Sequence, residues 1–372
     1  MSRLPLFPSG VLCPCCLRPL HSRDLKYVCP QCGHATAPGP LDLLLGRNPR
    51  CSHPGCSGVC TERVCALCGS SLPPDILSYE KYLRFSLLGL TGAGKTSFLT
   101  TMLGELRSCP DSPWVLSPMD AQTATLFQLN RDTLYQGHRR LDATPGGTAP
   151  PPLLWRIRDR SRMTDRSIPT WSLTIFDGAG EDSAHPDPLI SRYIAGSGVL
   201  IVLIDPLSLD SVARRIDPDI LAWSRTARHG PDASSGMVES LSDYIRQCCG
   251  IAPGRLIDRD VAVVFTKIDT VRSSFGSATV MQPSPHIRRR GFVQADADAV
   301  DLEIRDWLRR CGESAFLKAI ETNFVPGRVQ YFGVSSFGQP PVSADGLGRV
   351  MPHRILDPLL WTLSREGLIP TV

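Results

Sequence analysis

Eight residues, Gly89-Leu-Thr-Gly-Ala-Gly-Lys-Thr96, constrain this chain more than any other feature. They fit the pattern Gly-x-x-x-x-Gly-Lys-[Ser/Thr] completely. The apolar run Leu83–Leu88 before them reads as a buried strand, and Ser97–Leu106 after them reads as a helix. Glycines at these positions let backbone amides close around an anion without side-chain clash. The helix that follows aims its positive end at the same place. Lys95 would reach β- and γ-phosphates as a point charge, the Thr96 hydroxyl would ligate magnesium, and the Ser97 amide would lie near an α-phosphate. Gly89, Thr91, Gly92, Ala93, Gly94, Lys95, Thr96 and Ser97 are therefore the expected phosphate site.

The rest of the chain supplies the strands that such a loop needs. Trp171–Phe176 alternates and ends at Asp177, while Gly198–Ile204 and Val261–Phe265 are continuous apolar runs of the kind buried on both faces of a parallel sheet. Val329–Val334 leads into Ser335-Ser336. Helical stretches, among them Asp296–Cys311 and Pro352–Arg365, separate them. This alternation predicts an α/β domain with a doubly wound, mostly parallel sheet. Ala143–Pro152 and Arg228–Gly236 read as loops. Thr270–Gly291, poor in apolar residues, is expected to be partly disordered.

Each strand end carries residues that suit one task. Asp177 can hold magnesium, directly or through water. Gly180, without a side chain, can turn its amide onto a γ-phosphate. Two threonines, Thr144 and Thr148, could close on magnesium from the loop before this strand. Thr148 is preferred because it precedes the segment entering the next strand. In Thr266-Lys-Ile-Asp269, the Lys267 stem can cover a purine ring. The Asp269 carboxylate can accept from guanine N1–H and the 2-amino group, a donor pair that adenine lacks. Ser335 and Ser336 suit a loop whose backbone meets guanine O6.

With four motifs in this order, residues from Tyr82 to the C-terminus resemble P-loop GTPases of the translation-factor and Ras-like (TRAFAC) class. Gly89–Thr96 resembles the first GTPase motif in its Arf-like form, Asp177–Gly180 the third, Thr266–Asp269 the fourth and Ser335-Ser336 the fifth. The cysteine-rich head and the C-terminal DPLLWTL resemble, more narrowly, GTPases of bacterial conflict-system loci, including a double-GTPase group. The resemblance implies a guanine-nucleotide switch with Lys95, Gly180 and Glu181 at the chemistry and magnesium between Thr96, Asp177 and Thr148. Three departures qualify it. Thr266 stands where the family carries asparagine, Glu181 stands where many members carry a water-orienting glutamine, and the motif spacings are wide. Slow intrinsic hydrolysis is the expected consequence. Arginine is too abundant for Arg139, Arg140 or Arg156 to be singled out as a catalytic finger.

Ahead of this domain lies a head rich in cysteine. Ten of the fourteen cysteines fall between Cys13 and Cys68, mostly in Cys-x-x-Cys pairs, which in a reducing compartment signals metal more often than disulfides. Cys13, Cys16, Cys29 and Cys32 form one expected structural zinc site, and Cys51, Cys56, Cys65 and Cys68 the second. Cys15 is a spare that could exchange with Cys16, and Cys60 and His53 compete for the second ion. The expected division is 1–74 for a double zinc ribbon and 80–372 for the nucleotide domain. The ribbons serve either to dock a partner or only as a folded cap. Sparse aromatic and basic residues there weaken the case for nucleic acid. The net charge of +4 is small for 372 residues and does not by itself require an anionic partner. No run reaches the length of a membrane span and no signal peptide is evident, so a cytoplasmic protein is expected. Lysine is scarce, at five residues against thirty-five arginines, which makes Lys95 and Lys267 inside motifs harder to ascribe to chance.

Overall fold

The structure, a computed structural model, describes residues 11–21, 24–45, 47–89, 92–141, 151–177, 188–224, 233–343 and 346–372. The chain divides into two compact units. The first comprises residues 1–83, 117–124 and 151–174, and the second 84–116, 125–150 and 175–372.

The first unit holds a small antiparallel sheet of four strands, β1 (Leu25–Val28), β2 (Ala35–Thr36), β3 (Glu62–Cys65) and β4 (Ser71–Leu72), in the order β2-β1-β3-β4. Alternation explains β1. Leu25 and Tyr27 point inward, whereas Lys26 is exposed. Six or seven apolar side chains cannot hold so short a stretch together alone. The core of this unit therefore mixes Leu25, Tyr27, Leu72, Ile76 and Tyr79 with buried cysteines, and extends to Met119 and Leu154. An Arg156–Asp75 ion pair and a hydrogen bond from Arg156 Nε to the Tyr79 hydroxyl (3.0 Å) fasten it further.

The larger sheet has seven strands: β5 (Lys81–Gly89), β6 (Trp114–Pro118), β7 (Leu153–Asp159), β8 (Thr170–Asp177), β9 (Val199–Ile204), β10 (Asp260–Phe265) and β11 (Val329–Gly333). Their order is β11-β10-β9-β5-β8-β7-β6. Neighbouring pairs among β11, β10, β9 and β5 are parallel. The sheet is thus the expected α/β architecture, and β9 is buried at all six residues, as a strand covered on both faces must be. From β5 the chain passes first to one side of that strand and later, through β9, to the other. Such a reversal opens a crevice at the carboxyl ends of the strands, where α/β sheets bind ligands.

One expectation is corrected here. Thr270–Gly291 is folded, through short helical turns at Ile268–Ser274, Thr279–Met281 and His286–Arg289. Its few apolar residues find partners elsewhere. Val280 fits against Gly333, where a Cβ would approach to 2.6 Å, and the Phe275 ring stacks obliquely on Trp307 at 5.4 Å. Glu303 accepts the amides of Thr279 and Val280, both at 2.8 Å.

Candidate functional site

Gly89 ends β5 so close to β9 that a Cβ there would lie 2.6 Å from the Leu203 carbonyl oxygen. Only glycine lets the strand end and the loop begin at this point. Gly92 (φ 87°) and Gly94 (φ 80°) adopt left-handed backbone, and Gly94 caps the helix Lys95–Ser108. That helix has no acidic residue in its first turn and no side-chain cap, so its positive end is not neutralised locally. Lys95 is its first residue, and the ammonium donates to the Gly89 carbonyl across the loop. Thr96 and Ser97 follow within the same turn, and Ala93 is buried beneath.

Thr266 joins this loop to the next motif. Its buried hydroxyl donates to the Ala93 carbonyl (3.0 Å), with the Ile204 carbonyl at 3.2 Å sharing the proton. Thr266 thus ties the end of β10 to the glycine loop. Its hydroxyl has only one hydrogen to give where an amide has two.

Lys267 adopts a left-handed backbone (φ 50°), uncommon for a residue with a side chain. Its ammonium pairs with Asp205, whose side chain is 3% exposed. Asp205 also accepts the Leu207 amide at 2.9 Å, which fixes the carboxylate's orientation. Sequence reasoning missed Asp205. The only signal was its place directly after the apolar run of β9, and an aspartate ending a strand is common. Asp205→Asn keeps the Leu207 contact and removes the charge that holds Lys267.

Asp269 is half-buried. Burial pushes its carboxyl up from the usual range, while the Ser335 hydroxyl, Lys267 and Arg272 pull it down. Ser335 in turn accepts the amides of Phe337 (3.2 Å) and Gly338 (2.7 Å), and Ser336 follows half-buried. Asp177 closes β8, the strand beside β5. Thr91, Thr148, Gly180 and Glu181 lie outside the described residues.

In the first unit the eight expected cysteines form two quartets, but not the expected ones. Cys13 and Cys16 join Cys65 and Cys68, and Cys29 and Cys32 join Cys51 and Cys56. The reason is strand pairing. β1 and β3 run antiparallel with Leu25 opposite Cys65 and Val28 opposite Glu62, and the Ala66 amide bonds the Asp24 carbonyl. The fourth knuckle therefore lies at the start of β1, next to the first. Four residues of strand, about 13 Å, carry Cys29 away to the other end. Cys15 and Cys60 belong to neither quartet.

Within each quartet the ligand atoms lie within 4.8 Å of one another, with Cys13–Cys68 at 3.8 Å, Cys29–Cys56 at 3.7 Å and Cys32–Cys51 at 3.5 Å. Tetrahedral zinc with Zn–S bonds of about 2.3 Å requires sulfur–sulfur edges of about 3.8 Å. All eight thiols are free of disulfides. Gly58 lies against the second quartet, where a Cβ would come 2.7 Å from the Cys29 sulfur.

No protein-family model matches the chain, and no curated protein matches it. Among solved structures, the chain is similar to a variant of Aquifex aeolicus Era bound to GDP and AlF4− (13% identity, 78% of this chain and 58% of that one, TM-score 0.31). It is also similar to the Saccharomyces cerevisiae Ski7 GTPase-like domain bound to GTP (13%, 78% and 51%, TM-score 0.32) and to Sup35 complexed with GDP (9%, 70% and 38%, TM-score 0.29). The chain thus spans between about two-fifths and three-fifths of these structures' lengths.

Proposed function

We propose that this chain binds guanine nucleotide with magnesium at the carboxyl edge of its parallel strands, hydrolyses GTP slowly, and uses the cycle as a switch for a protein partner. The observation that carries this reading is the Thr266 hydroxyl on the Ala93 carbonyl, together with the Ile268 amide on the Val334 carbonyl (3.1 Å). Segments more than 170 residues apart in sequence are thereby laid on one edge, phosphate loop against base loops. In this reading Gly89 and Thr91–Ser97 hold the phosphates, Lys267 and Asp269 the base, and Ser335 and Ser336 its O6 side. Thr96, Asp177 and Thr148 would hold magnesium, which would supply charge neutralisation at the phosphates. Gly180 senses the γ-phosphate, and Glu181 orients water. Two zinc ions fill the cysteine quartets and hold the first unit together rather than act in catalysis. The ribbons or the switch loops contact the partner. Nucleic acid is the weaker candidate. Among the described residues no helix is long and apolar enough to cross a membrane.

Turnover of radiolabelled GTP by purified protein tests the enzymatic part, with slow phosphate release expected. A glutamate at position 181 also favours a second reading, a nucleotide-dependent partner protein without turnover. Bound GTP that stays intact even with cellular partners added would decide for it.

The base site makes the affinity depend on pH. Guanine needs the Asp269 carboxylate, whose proton is held more tightly than an ordinary carboxyl's by burial. Binding therefore releases a proton, and GDP affinity should rise with pH through a midpoint above the usual aspartate range, then level off. Calorimetric titration across pH checks this, and Asp269→Asn should remove the dependence.

A further inference from the structure

Ser335 lies against a second segment near the C-terminus. Its amide donates to the His353 carbonyl (3.0 Å) and the His353 amide donates back (2.8 Å). The Met351 amide adds a bond to the Phe337 carbonyl at 3.0 Å, extending the pairing into a short antiparallel ladder. At its end Gly338 (φ 79°) packs so closely that a Cβ would lie 2.0 Å from the Met351 carbonyl oxygen.

That second arm is fastened chiefly by Arg354. Arg354 has a left-handed backbone (φ 49°), and its side chain is 1% exposed. Its guanidinium donates to Asp357 (2.7 Å), to Asp296, and to the carbonyls of Thr279 (3.1 Å) and Gln282 (3.2 Å). His353 adds a contact from Nε2 to the Val280 carbonyl at 2.7 Å. Nearby, His286 accepts the Val293 amide at Nδ1 (3.0 Å) and faces Asp357 and Asp296 at 3.7 and 3.9 Å. A divalent ion between that histidine and the two carboxylates would meet the guanidinium already lying on both acids. Arg354 is thus the cation of this cluster.

We infer that Arg354 is a positioning residue for guanine recognition: it fixes the arm on which Ser335 is laid, and so keeps Ser335 against the Asp269 loop, whose Ile268 amide bonds the Val334 carbonyl (3.1 Å). The inference rests on the guanine-binding reading above and deepens it. Arginine suits the task because its planar fork reaches two carboxylates and two carbonyls at once, whereas lysine offers a point charge.

The test compares GDP with IDP, which lacks only the 2-amino group that Asp269 reads. Arg354→Lys keeps a positive charge beside Asp296 and Asp357 but cannot hold both carbonyls. The wild-type protein should prefer GDP over IDP by roughly tenfold or more, the worth of one hydrogen bond to a charged group. In Arg354→Lys that preference should fall several-fold towards parity, through loss of GDP affinity with IDP affinity nearly unchanged. Gly338→Ala forces the same ladder apart from its other side without touching any charge, and should shift the ratio likewise. It carries the test if Arg354→Lys does not fold. A preference unchanged in a folded variant, whatever its melting temperature, would show a purely structural role and overturn the inference. Wild-type protein that bound ADP as well as GDP would instead overturn the reading beneath it, and the inference with it.

Discussion

Replacing Cys13 or Cys65 with serine should remove one and the same zinc ion and leave the other in place; replacing Cys29 or Cys51 should remove the second ion and spare the first. These partners follow from the nested quartets, in which the first knuckle closes on the fourth and the second on the third. The effect should be large. Structural zinc contributes apparent binding energies of about 10–16 kcal/mol in small zinc-finger peptides at neutral pH. The buried core of the first unit includes Cys13, Cys29 and Cys65 themselves. Each single substitution should therefore expose its end of the β1–β3 pair to proteolysis and lower the metal content from two ions per chain to one. Elemental analysis with limited proteolysis reads both. If Cys13→Ser and Cys29→Ser removed the same ion, the pairing by sequence order would be right and the nested one wrong.

Asp269→Asn should cost GTP affinity heavily. The carboxylate would accept two hydrogen bonds from guanine, each worth about 1.5–3 kcal/mol to a charged acceptor. Losing even one predicts a roughly ten- to hundredfold rise in Kd, and an asparagine presenting its amide N–H2 leaves donor facing donor. The substituted side chain matches xanthine, which carries a carbonyl where guanine carries the amino group. XTP should accordingly gain affinity as GTP loses it. Competition binding with the two nucleotides reads the exchange. A uniform loss for both would mean that Asp269 supports the fold without reading the base.

The strand–loop–helix context of Gly89–Thr96 was legible in sequence because its signals coincide within a few residues. A strand, three glycines, a lysine and a hydroxyl all lie within about fifteen positions. The strand before Thr266 was legible because a buried parallel strand shows as an unbroken apolar run, and the strand ending at Asp177 because its residues alternate. The zinc pairing was not. Cysteine spacing reports which thiols form a knuckle, but which knuckles meet depends on the register of β1 against β3, and neither strand is long enough to announce it. Asp205 was hidden for another reason: its partner Lys267 stands sixty-two positions away. The fold of Thr270–Gly291 depended on Gly333, Trp307 and Glu303, all supplied from outside the segment. Arg354 was equally silent in a chain with so many arginines, until its burial between two acids and two carbonyls set it apart.

The most direct measurement of the central claim is a side-by-side titration of the full chain with GDP and ADP in the presence of magnesium. Saturable GDP binding that ADP does not displace, lost in Asp269→Asn, is the predicted result. ADP binding as tightly as GDP, or tighter, would contradict it.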